Sequence, residues 1–120
     1  VTDSSKRVLV LTSDPALATS RVGLVRAAGF ACEVAGTGDY ARQLLEAERF
    51  HLVLLGREPD GLDKAIERWL HERYPELPTL KVDNFGTESE YASRTTDSAP
   101  SSVVATLRAM LGDSSPVPLH

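Results

Sequence analysis

The stretch RVLVLTSDPALA (residues 7–18) crosses from one kind of secondary structure to another. Val8-Leu9-Val10-Leu11 is an uninterrupted apolar run with polar neighbours, the pattern of a strand covered on both faces. Asp14-Pro15 then offers a helix start. The aspartate can accept from the free amides of a first turn, and proline loses nothing at a position where no N–H is needed. Leu17, Arg21, Leu24, Val25 and Ala28 recur at helical spacing, and Gly29 supplies the stop. A strand apolar on both sides needs helices above and below it, so this stretch already argues for a layered α/β domain.

The rest of the chain repeats the alternation. Phe30 to Val34 reads as a second short strand, and the Gly36-Thr37-Gly38 turn leads to a helix starting near Asp39. Ala41, Leu44, Leu45 and Glu48 share one face of that helix. In HLVLLGREPDG (residues 51–61) the run Leu52–Leu55 is a third buried strand, delivering Gly56 to its carboxyl end. Leu62, Ala65, Ile66, Trp69, Leu70 and Arg73 then mark an amphipathic helix. Pro75 and Pro78 bound a fourth strand, Thr79–Val82. From Asn84 to Ala99 the pattern fails among Thr, Ser, Glu and Asp, which predicts a degenerate fourth helix region and a weak fifth strand within Tyr91–Thr96. Pro100 opens a last helix with Val103, Val104, Leu107, Met110 and Leu111 in one stripe. Right-handed crossovers between such units give a parallel five-stranded sheet in a three-layer α/β/α sandwich, the flavodoxin-like plan with strand order 2-1-3-4-5. The expected organisation is a flexible N-terminus over 1–5, one domain over 6–112 and a tail or linker over 113–120.

Length and charge narrow the function classes. The 120 residues suffice for one domain with a real core, and the net charge of −4 argues against general nucleic-acid binding. No apolar run exceeds four residues, no signal-peptide pattern stands at the start, and the single Cys32 has no partner for an internal disulfide. The expected location is cytoplasmic. Gly36, Gly38 and Gly61 form no phosphate-cradling signature, and His51, His71 and His120 lack metal-ligand spacing. Neither a cofactor nor a metal is expected.

RVLVLTSDPALA, AAGFACEVAGTGDYARQLLEAERFHLVLL (27–55) and ERYPELPTLKV (72–82) together resemble the receiver domain of bacterial two-component response regulators, the CheY-like family. The resemblance spans roughly residues 6–83 and returns in the final helix, 100–111. It implies a domain that takes a phosphoryl group onto an aspartate at the end of the third strand. An acidic pair after the first strand would hold Mg²⁺, and a Thr or Ser and a Lys after the fourth and fifth strands would contact the phosphoryl oxygens.

This chain departs from the pattern at every one of those positions. The phosphoacceptor matches Gly56, and Glu58 lies too far into the following loop to replace it. The acidic pair matches Thr12 and Ser13, with Asp14 in a third acidic position. The hydroxyl position matches Asp83, and the lysine position falls near Thr96. Each residue also has a plain structural reading: Thr12 and Ser13 satisfy backbone groups at a strand end, Asp14 caps a helix, and Asp83 is a solvated acid or a fixed negative charge. Cys32 reads as a core or half-buried strand residue, and Trp69 as core and not interface. The expectation is a degenerate phosphorylation pocket in an atypical receiver that is not an enzyme. Such a domain would signal without phosphorylation through contacts of its fourth and fifth units with a signalling protein or a second copy of itself. The competing expectation is a small-ligand-binding or enzymatic domain whose pocket lies at the strand ends, where Gly56 leaves room beside the backbone.

Overall fold

The computed structural model describes residues 6–56, 61–82, 94–96 and 99–112. In chain order the elements are β1 (Arg7–Leu11), α1 (Pro15–Ala27), β2 (Ala31–Ala35), α2 (Gly38–Ala47), β3 (Leu52–Gly56), α3 (Leu62–Arg73), β4 (Thr79–Val82), β5 (Arg94–Thr96) and α4 (Pro100–Leu111). All pairings are parallel, and the sheet runs β2-β1-β3-β4-β5. Fold class and strand order are as the sequence predicts. The fifth strand falls inside the expected window.

Val8–Leu11 of β1 and Leu52–Leu55 of β3 are apolar throughout because both faces of these strands are buried. Val8, Val10, Leu52, Leu54, Leu80 and Val82 pack with Val25 of α1, with Ala28 just after it, and with Val103, Leu107 and Leu111 of α4. Leu9, Leu11, Val53 and Leu55 point to the other side, against Ala41, Leu44 and Leu45 of α2 and Ile66 and Leu70 of α3. Each fully buried Leu or Val contributes about 1.5–3 kcal/mol relative to exposure, so the two clusters hold the three layers together.

The helix starts follow local chemistry. Asp14 caps α1, its carboxylate accepting from the amides of Ala16 at 2.9 Å and Leu17 at 3.4 Å. The Thr37 hydroxyl caps α2 by accepting from Tyr40 N–H at 3.1 Å, so that helix begins at Gly38, one residue before the expected start. Glu48 is not part of the apolar face of α2 but the exposed residue that ends it. Gly29 follows α1 at φ 99°, a left-handed conformation that explains the glycine stop. The Lys6 ammonium donates to the Leu111 carbonyl, tying the chain's entry into the sheet to the end of α4.

One face was misread by periodicity. Ala65, expected on the apolar side of α3, is exposed, whereas Glu67 is 3% exposed. Its carboxylate lies 3.0 Å from the Lys81 ammonium of β4, and Lys81 is itself buried. A charged pair, invisible to an apolar pattern, thus rotates the buried face of the helix. Trp69 is half-buried against the same cluster, edge-on to Tyr74 at 5.5 Å between ring centres. The expected degenerate helix between Asn84 and Ala99 falls almost wholly outside the described residues, as do the segments 1–5 and 113–120.

Candidate functional site

In an open parallel sheet, sites form beyond the carboxyl ends of the strands. Register shows which residues meet there. Leu11 pairs with Leu55, so Thr12 follows β1 beside the end of β3; Gly56 pairs with Val82, and Val82 pairs with Thr96. Thr12, Gly56 and Thr96 therefore lie at the carboxyl ends of β1, β3 and β5, on one end of the sheet. Asp83 and Glu58 lie outside the described residues.

Thr12 is buried, its N–H donating to the Ala35 carbonyl at 3.1 Å and its Oγ1 accepting from Asp14 N–H at 3.2 Å. Its hydroxyl is committed to the turn between strand and helix. Ser13 is exposed at that turn. The Asp14 carboxylate is spent on the cap of α1, where two amides hold it. Among the described residues, no cluster of three or more His, Cys, Asp or Glu is placed to hold a metal ion.

Gly56 is not open space. A Cβ built on Gly56 would overlap Nη2 of Arg21 and lie 2.9 Å from both Cζ and Nη1 of the same side chain. Arg21 belongs to α1 and is 8% exposed. Its guanidinium lies where a side chain at position 56 would begin. The room beside the glycine, expected to admit a ligand to the backbone, is filled from within the chain. Arginine stays protonated at any ordinary pH, so this edge of the sheet carries a permanent buried positive charge. Arg21 has interaction partners within the chain, as a buried charge requires.

The sequence reading missed Arg21, although the signal was present. An arginine among Leu17, Leu24, Val25 and Ala28 stands on the apolar face of a helix, and Arg is rarely buried unless paired. By period alone it is indistinguishable from the apolar residues around it. Elsewhere, a groove of about 610 Å³ lies at the opposite end of the sheet, between the starts of β3 and β4. Phe50, His51, Tyr74 and Leu77 line it together with Leu45 and Arg73, and no residue of the strand-end site reaches it. Cys32 is half-buried, and burial pushes its thiol up to about 11, which removes it as a nucleophile near neutral pH.

No protein-family model and no curated protein matches the chain. Solved structures do. A CheY-like response regulator receiver domain from Methanospirillum hungatei JF-1 superposes with a TM-score of 0.76 at 20% identity, covering 92% of this chain and 97% of that one. The chemotaxis protein CheY4 of Vibrio cholerae gives 0.77 at 17% identity over 89% and 99% of the two chains. HP1043, an orphan response regulator of H. pylori, gives 0.73 at 16% identity over 92% and 99%. At these identities the likeness shows a shared fold: this chain has the architecture of CheY-like receiver domains over nearly its whole length.

Proposed function

We propose that this chain is an atypical receiver domain that transmits a signal through protein contacts and does not accept a phosphoryl group. One observation carries the reading. Where a receiver's phosphoacceptor would stand, there is Gly56, and a buried arginine occupies the space of its absent side chain. Aspartyl phosphorylation requires a carboxylate nucleophile and a cation that neutralises charge on the transferred group. Position 56 supplies no carboxylate. The matching metal positions, Thr12 and Ser13, supply neutral hydroxyls, and the nearby carboxylate of Asp14 caps a helix.

Among the described residues no acid–base pair and no nucleophile with its base meets at the strand ends, which supports a binding role over a catalytic one. The domain is therefore read as a binding module of the cytoplasm, with the fourth and fifth units as its docking face toward a signalling protein or a second copy. No helix of the described residues is long and apolar enough to cross a membrane. The test is incubation with acetyl phosphate and Mg²⁺ followed by intact-mass measurement. The mass should stay unchanged; a stable gain of one phosphoryl group would overturn the reading.

A further inference from the structure

A receiver pocket that had only lost its aspartate would be reopened by putting the aspartate back. The packing around Gly56 argues otherwise. A side chain at position 56 and the Arg21 guanidinium in its observed position exclude one another: the first atom of the one would overlap the other, so the guanidinium must move aside. Residue 56 shares the parity of Leu52 and Leu54, whose side chains face α1 and α4, so a side chain placed there is directed at the helix that carries Arg21. That helix is fixed in turn. Asp14 caps its first turn, Val25 and Ala28 seat its last turn in the core, and the Arg108 side chain of α4 donates to the Ala27 and Ala28 carbonyls at its end. The guanidinium can swing, but its stem stays at the mouth of the pocket.

From this geometry we infer that Arg21 and Gly56 are a mutually dependent pair. The guanidinium takes the place and the positive charge that a carboxylate with its divalent cation would hold, so the chain itself seals the pocket against metal and phosphoryl donors. The inference rests on the proposed receiver reading and deepens it: the pocket is closed by a resident group and not merely stripped. Two consequences follow from charge and volume. An aspartate introduced at position 56 pairs with Arg21 at contact distance, which cancels the charge a metal would need. Restoring the acidic pair beside it adds metal ligands, but around a site that a cation already occupies.

The test uses the whole chain in two sets of variants. In the first, Thr12→Asp/Ser13→Asp/Gly56→Asp is compared with the same triple variant carrying Arg21→Ala, by thermal unfolding with and without millimolar Mg²⁺. A bound ion raises the melting temperature. The expected result is no Mg²⁺-dependent rise while Arg21 is present and a clear rise once it is removed. An equal response in the two proteins, whether a rise in both or in neither, overturns the inference. The second set guards against a poorly folded variant: a double-mutant cycle of Gly56→Ala and Arg21→Ala, followed by urea unfolding. Gly56→Ala should lower the folding equilibrium constant in the chain that keeps Arg21, because the guanidinium must leave its place, and the loss is read as the coupling between the two positions. In the Arg21→Ala background it should be nearly neutral. Equal effects in both backgrounds would show that the two positions are independent. Labelling of the unmodified chain by acetyl phosphate would instead sink the functional reading, and the cycle distinguishes the two failures.

Discussion

Replacing Lys81 by methionine should be among the most damaging single changes in the domain, and replacing Glu67 at the same time should largely repair it. The two charges lie 3.0 Å apart, with 8% and 3% of their side chains exposed, between α3 and the centre of the sheet. Lys81→Met keeps the apolar stem but leaves a buried carboxylate without the ammonium beside it. Breaking a buried pair in this way typically costs about 3–5 kcal/mol. A domain of this size has about 5–15 kcal/mol of stability, so the single variant forfeits a large part of the whole. At a urea m-value of about 2 kcal/mol/M the midpoint should fall by roughly 1.5–2.5 M. Glu67→Leu/Lys81→Met replaces both charges by apolar groups of similar volume and should recover most of that loss, since well-packed hydrophobic replacements of buried pairs are often neutral. Urea unfolding of the two single variants and the double, followed by far-UV circular dichroism, measures the cycle. Single variants that each cost less than about 1 kcal/mol, or a double variant that sums the two losses, would refute the reasoning, because exposed or independent charges behave that way.

Two further outcomes concern titratable groups. The Cys32 thiol, raised by burial from 9.0 to about 11, should resist alkylation in the native state at pH 8 and react on unfolding. The folded state then holds its proton more tightly than the unfolded state, so this residue's contribution to stability is complete below pH 9 and is lost as pH rises toward 11; a Cys32→Ala variant should lose that alkaline slope. His51 titrates below its usual 6.5, first because of desolvation and then because of the charges of Arg49, Lys6 and Arg7. Its neutral Nδ1 accepts the Arg7 N–H at 3.1 Å. Protonation breaks that bond, so its contribution is lost as pH falls below 6.5, and NMR titration of the imidazole should give a midpoint under 6.5. A midpoint at or above 6.5 would contradict the hydrogen bond.

What the sequence made legible was the part written in apolar period and turn chemistry. Val8–Leu11 and Leu52–Leu55 could be recognised as strands because burial on both faces leaves no room for alternation, and Thr79–Val82 because Pro75 and Pro78 bound it. Asp14-Pro15 and Gly29 set the ends of α1 for reasons local to the chain. The strand-end positions of Thr12 and Gly56 follow from the apolar runs that precede them. Two buried charged groups do not follow in this way. Glu67 and Lys81 meet inside the fold, and nothing in either local pattern announces a partner fourteen residues away. Arg21 kept the helical period while serving a different end. A period reports which way a residue faces, and whether that direction ends in a core or in a pocket is decided by tertiary structure.

With the guanidinium of Arg21 against Gly56, the strand-end pocket should be closed in solution. The most direct measurement is an NMR titration of the unmodified chain with Mg²⁺ and then with beryllofluoride, a mimic of the phosphoryl group, following the amides of Thr12, Ser13 and Gly56 and the guanidinium of Arg21. With Arg21 seated against Gly56, these signals should not move beyond the effect of matching salt. Saturable shifts at Gly56 and Arg21 that require both additions would show an open, receptive pocket and contradict the account.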